Sequence, residues 1–281
     1  MSLSIRTNVA SLNAQANLNN TQNSLDQSIQ QLSSGYRINS PGDDAAGLAI
    51  STNLSAQIAS YNQATSNAND GLSVIQTAEA GLSDATSILT RLRELAMQSA
   101  SDGVGASERG YIQTEADALT AELQRVSQVT VYDGTSLLNG VTATLNFQVG
   151  IGATTADSIS FTTLDATAST LLSSVGNASA TTIFLTTAAQ ATAALAVIDA
   201  AIGQISTENA TLGAAGNRFQ DTISQISAMS QALSAANSRI MDVNVAQATS
   251  NLSQEQVLAQ AGVSVLAQAN QMPQLALKLL Q

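Results

Sequence analysis

SSGYRINSPGDDAAGLAIS, residues 33–51, contains Pro41, one of only two prolines in a chain of 281 residues, between flanks patterned as helices. A proline disfavours helical geometry at the residue before it, here Ser40, and ends any helix that reaches it. Gly42 loosens the backbone, and either Asp43 or Asp44 can cap a new helix and match its dipole. Neighbouring carboxylates can also act as general acid and base, but at a helix start they are far more often caps. The stretch therefore reads as a joint between two helices.

The two sides of the joint differ in charge. Residues 1–42 carry only Arg6, Asp26 and Arg37, and residues 245–281 carry only Glu255 and Lys278. Both ends are rich in Asn, Gln, Ser and Ala. Leu18, Leu25 and Leu32 recur every seven residues with Ile29 nearby, as do Leu258, Val265 and Met272 at the other end. A helix with an apolar stripe and an uncharged polar face can be buried on several sides without desolvating ions. Both ends are therefore expected to be helical arms that need partners, with 1–42 and 245–281 forming one discontinuous domain and 43–244 the other.

Between the arms the spacing is stricter. Tyr61, Ala68, Ile75, Leu82 and Leu89 recur every seven residues, with Ile58 and Leu72 in the alternate rows. Ile198, Ile205, Leu212, Phe219, Ile226, Leu233 and Ile240 keep the same interval. Such a repeat predicts supercoiled helical seams. At 1.5 Å per residue, residues 44–100 would form a rod of about 85 Å. A third helix is expected over 106–128, antiparallel to the first after the glycine-containing turn SDGVGAS (101–107), with the 194–240 helix joining them.

The period then changes. In VTATLNFQV (141–149) Val141, Ala143, Leu145, Phe147 and Val149 alternate with polar residues, and SISF resumes the alternation after GIGATTAD, which predicts a β-hairpin. Residues 165–192 are Ala/Thr/Ser-rich and weakly patterned, and are expected to be exposed surface.

Composition excludes several functions. With no histidine and no cysteine, the chain has no Ser-His-Asp or Cys-His site, no zinc-peptidase motif and no disulfide. Its net charge of −11 opposes nucleic-acid binding. The start MSLSIRTNVASLNAQ lacks a basic segment followed by an apolar run, so no cleaved signal peptide is expected. AALAVIDAAIG is short and interrupted by Asp199, so no membrane span is expected either. Gly103-Val104-Gly105 and Gly150-Ile151-Gly152 lack the rest of any phosphate-binding motif and read as turns. No cofactor is expected.

NVASLNAQANL (8–18), LSSGYRINSPGDDAAGLAIS (32–51), LRELAMQSASDG (92–103), LSAANSRI (233–240) and NLSQEQVLAQAGVSVLAQANQMPQLALKLL (251–280) together resemble the bacterial flagellins. The resemblance departs from the usual pattern at Ala16, at Met241-Asp242-Val243-Asn244 and at Ala248. It implies a short flagellin without large outer domains, mainly α in fold. A long coiled-coil-like antiparallel rod would carry a small β-hairpin region at about 130–190, with paired terminal helical arms. It also implies a structural, non-enzymatic subunit that polymerises through its arms into the extracellular filament used for swimming. Leu18, Leu25, Ile29, Leu32, Pro41, Gly42, Leu258, Val265 and Met272 would carry self-assembly. Implied partners are further copies of the chain, an export chaperone and the flagellar type III export apparatus, and hook-associated and cap proteins. In flagellins sensed by animals, a Toll-like receptor would contact the residues matching Arg91, Leu95 and Glu115. A hook–filament junction protein has similar arms, and a non-flagellar coiled-coil scaffold would share the seams.

Overall fold

The computed structural model describes residues 7–141, 144–172 and 183–279, with side chains described as far as residue 271. Six α-helices lie among the described residues: α1 (Val9–Ser34), α2 (Ala45–Ala100), α3 (Ala106–Val129), α4 (Ala168–Leu172), α5 (Ala188–Met241) and α6 (Val245–Leu279). Two antiparallel strand pairs sit between α3 and α4: β1 (Val131–Tyr132) with β2 (Thr135–Ser136), and β3 (Thr144–Gln148) with β4 (Ser158–Thr162). The chain forms two compact units, Met1–Ile58 with Gln231–Gln281, and Ala59–Ser230.

In the second unit the seven-residue rows become the core. Ala68, Ile75, Leu82 and Leu89 of α2 are buried, as are Ile198, Ile205, Leu212, Phe219 and Ile226 of α5. These helices run antiparallel, since Arg93 pairs with Asp199 at 2.6 Å while Gly71 lies against Phe219. The α2–α3 reversal is held by Arg109, whose Nε donates to Ser99 O and whose second nitrogen donates to Ser101 O, at 2.9 and 3.0 Å. That guanidinium satisfies carbonyls left open at the end of α2.

The β3–β4 hairpin forms with Leu145 opposite Phe161 and Phe147 opposite Ile159. Positions 142–143, including the expected strand residue Ala143, lie outside the described residues. Thr154 and Asp157 close the hairpin turn as a capping box, and Val149 and Gly150 both donate to Asp157 O. The hairpin meets the helices at Phe147, whose ring packs edge-on to Phe219 with centroids 5.6 Å apart. Gly71 makes room for this contact, because a Cβ there would stand 2.6 Å from the Phe219 ring.

One expectation needs correction. The 165–192 segment is not simply surface: Ala166, Ala168, Leu171, Leu172, Ile183 and Leu185 are buried in the core. Its apolar residues are clustered rather than periodic, and polar groups of α3 dock the backbone. Gln113 donates to Ile183 O and accepts from Leu185 N, while Gln124 accepts from Ala168 N. In addition, α5 contains a stretch apolar enough, by length and composition alone, to cross a membrane. Alanines raise its apolarity, and Ala191, Ala194 and Ala201 are buried beside Ile198 and Ile205 in the core.

Candidate functional site

The first unit holds the joint and the arms. Helix α1 ends at Gly35, whose left-handed backbone (φ 77°) suits a residue without a Cβ and whose N–H donates to Gln31 O. The chain then pairs with the end of α5. Arg37 N donates to Met241 O, Val243 N donates to Gly35 O, and two nitrogens of the Arg37 guanidinium donate to Ile240 O at 3.2 and 2.8 Å. Ile38, the next residue, is buried, with its Cδ1 against Gly47 of α2.

Pro41 and Gly42 occupy the middle of a four-residue turn closed by Asp43 N donating to Ser40 O at 3.0 Å. Proline at the second position of such a turn is pre-set in φ. The two aspartates divide the work. Asp44 is the cap, its Oδ1 accepting from Gly47 N at 2.8 Å. Asp43 instead ties the joint together: Oδ2 accepts from Asn39 N and Ser40 N, and Oδ1 accepts from the Gln27 amide of α1. The backbone hydrogen bonds from Ser40 and Asn39 hold its carboxyl below the usual aspartate range. Asp43 thus serves the backbone and α1, and Asp44 serves the start of α2.

The arms lie antiparallel. Asn8 donates to Ala269 O at 2.8 Å, Ser11 Oγ donates to Asn270, and Leu18 meets Gly262. On α1 the half-buried and buried row is Ser11, Ala14, Leu18, Thr21, Leu25, Ser28 and Leu32. On α6 it is Ala248, Leu252, Glu255, Ala259, Gly262, Leu266 and Ala269. Both rows alternate steps of three and four, the spacing of a coiled-coil seam. Leu18, Leu25 and Leu32 thus face α6, while Ile29 is 47% exposed. Leu258 and Val265 lie off the seam at 49% and 54% exposed, and the side chain of Met272 lies outside the described residues.

In the second unit Arg91 and Glu115 meet across α2 and α3. Arg91 Nε and a terminal nitrogen both donate to Glu115 Oε1, at 3.0 and 2.7 Å, and its other terminal nitrogen donates to Glu94. Hydrogen bonding to Glu115, and then to Glu94, raises the arginine pKa further. The pair is about half exposed. Leu95 is separated from it by burial: at 2% exposed it packs into the core.

Residues 5–143 match the bacterial flagellin N-terminal helical region, and residues 195–280 match the bacterial flagellin C-terminal helical region. The chain is 39% identical to a flagellin of Bacillus subtilis over 99% of both chains. It is 37% identical to a flagellar filament 33 kDa core protein of Treponema phagedenis, again over 99% of each. Among solved structures it is similar in fold to Bacillus cereus flagellin (TM-score 0.50, 24% identity, 57% of this chain and 88% of that one). A Vibrio parahaemolyticus structure assigned to a flagellar hook-associated protein is also similar in fold (TM-score 0.59, 14% identity, 71% of this chain and 100% of that one). The fold is thus shared by filament and hook-associated proteins, whereas the end-to-end sequence identity lies with filament flagellins: the chain belongs to the bacterial flagellins.

Proposed function

We propose that this chain is the repeating structural subunit of a bacterial flagellar filament, outside the cell, and that its arms drive polymerisation. The observation that carries this is apolar surface left on the α1–α6 pair. Leu12, Ile29, Val257, Leu258, Val263 and Val265 are all 47–65% exposed, on helices with almost no charge. Exposed aliphatic residues on more than one face of such helices suit packing against several neighbours. An uncharged polar face lets the same helices be enclosed by neighbours on several sides without burying ions.

Residues 1–42 and 245–281 form the assembling domain in this reading, and 43–244 the rod domain, with the β3–β4 hairpin presented on the rod. The joint at Pro41 and Gly42 turns the chain from α1 into α2 within the first unit. The role is structural and asks no catalysis of the chain, which is not an enzyme. Its partners are other copies of itself, with an export chaperone, the type III export apparatus, and hook-associated and cap proteins handling delivery and assembly. The Arg91–Glu115 pair is the candidate contact for an animal Toll-like receptor, with buried Leu95 supporting the helix that presents it.

Seeded polymerisation followed by electron microscopy tests the reading. The full chain should extend long helical filaments, and a variant lacking 1–42 and 245–281 should remain a soluble helical monomer. Short caps or no polymer from the full chain, or filaments from the truncated one, would overturn it.

A further inference from the structure

Glu255 stands in the α6 row that faces α1, and its Oε2 is the one buried side-chain polar atom without a hydrogen-bond partner among the described residues. Beside it lies a groove of about 280 Å³, lined by Asn20, Thr21 and Ser24 of α1 and by Asn251, Gln254 and Leu258 of α6. All six are uncharged, and none completes the carboxylate. A buried carboxylate oxygen left unpaired is costly, and the usual remedy is a cation with charge-assisted hydrogen bonds.

Among the described residues no cation of the same arms supplies it. Arg37 is engaged by Ile240 O and by Asp44 at 3.8 Å. Lys278 lies on the same helix roughly 35 Å further along. Arg6 precedes Asn8 by two residues, and Asn8 bonds to Ala269, roughly 20 Å along α6 from Glu255. In sequence the two remaining cations lie toward the chain termini, Arg6 ahead of α1 and Lys278 in the last turn of α6, and the middle of α6 carries an unpartnered anion.

We propose that in the filament the Glu255 carboxylate receives a basic side chain from near a chain terminus of a second copy, Lys278 or Arg6. The inference rests on the polymerisation reading above. Mid-arm to arm-end contact joins two different surfaces, so it is heterologous and propagates an open helical array rather than closing a dimer. The polar groove beside Glu255 gives the incoming side chain an uncharged path to the carboxylate. Apolar residues outside the seam would supply adhesion, and this ion pair would fix the axial register between copies.

The test measures the critical concentration for seeded assembly of the full chain, with circular dichroism melts of each unassembled variant as the folding control. Glu255→Gln should raise the critical concentration about tenfold, the effect of losing one charge-assisted bond. Glu255→Lys should abolish assembly. Combining Glu255→Lys with Lys278→Glu, or with Arg6→Glu, should restore filaments for whichever cation makes the contact. Wild-type-like assembly of Glu255→Gln and Glu255→Lys, or failure of both reversals to rescue, would overturn the ion pair. Failure of the unaltered chain to polymerise would instead overturn the filament reading itself.

Discussion

Leu18 of α1 lies so close over Gly262 of α6 that a Cβ on the glycine would stand 3.2 Å from the leucine Cδ1. The small residue lets the two arm helices approach. Gly262→Ala should be tolerated, because the contacted atom is the end of a flexible side chain and alanine gains about 1 kcal/mol of helix propensity. Gly262→Leu should force the seam apart at about 1–3 kcal/mol and raise the critical concentration for assembly. Equal assembly of both variants would place the arm contact elsewhere.

Gly71 makes the opposite case in the rod. Alanine would again favour the helix by about 0.5–1 kcal/mol, but its Cβ would meet the Phe219 ring at 2.6 Å and the Phe147 ring at 3.2 Å. Two packed rings cannot both withdraw. Gly71→Ala should destabilise the rod by about 1–2 kcal/mol in urea titration. A neutral or stabilised variant would mean that the edge-on ring pair is not fixed.

The joint should depend on its acids more than on Gly42. A Cβ at Gly42 would have Ser40 Oγ as its nearest neighbour at 3.6 Å, and Gly42 is not among the positive-φ glycines, so Gly42→Ala should be nearly neutral. Gly35→Ala should cost about 1–2 kcal/mol because of its left-handed backbone. Asp43 is held low by backbone donors from Ser40 and Asn39, Asp157 by Thr154, and Glu122 by Arg125. Burial works to raise the carboxyl of Asp165, but hydrogen bonds from Thr167 and Thr170 leave it lowered. With each folded pKa below its unfolded value near 4, the folded state binds fewer protons. The contribution of these groups is complete above that value and is lost as pH falls through the folded values. Melting temperature should therefore decline below about pH 4, and a flat profile from about pH 5 to about pH 2 would contradict these assignments.

Arg91, Leu95 and Glu115 should separate by stability and by signalling. Breaking the half-exposed Arg91–Glu115 pair should change stability by less than about 1 kcal/mol. Leu95→Ala should cost about 2–5 kcal/mol, because it empties a buried site. The double variant Arg91→Ala, Glu115→Ala is thus the cleaner receptor probe. It should remain folded and signal far less through the receptor, and an undiminished response would remove the site.

The rod is legible in the sequence because its seams are built from large aliphatic residues at one interval, and those rows are the buried ones. The arms are legible as helices but not in their facing. On α6, Leu258 and Val265 stand out by size, yet the row toward α1 includes Ala248, Glu255, Ala259, Gly262 and Ala269. Apolar residues on more than one face blur a seam when copies as well as helices must pack. The three-four alternation shared by both arms, with small residues in the α6 row, is the signal that finds it. Asp43 and Asp44 cannot be told apart by spacing, since their roles depend on a turn whose geometry brings Asn39 and Ser40 N–H onto one carboxylate. The burial of Ala166, Ala168, Leu171, Leu172, Ile183 and Leu185 is hidden because docking by Gln113 and Gln124 leaves no periodic trace.

The central claim is that apolar residues on the outer faces of the arms bind neighbouring copies. The most direct measurement is the critical concentration of the double variant Leu258→Ser, Val265→Ser, alongside the melting temperature of its monomer. Both residues are about half exposed and lie off the α1–α6 seam, so the melt should match the unaltered chain. Assembly should be lost or require at least about a hundredfold more protein, since two aliphatic side chains would no longer be buried between copies. Filaments at the unaltered critical concentration would contradict the account.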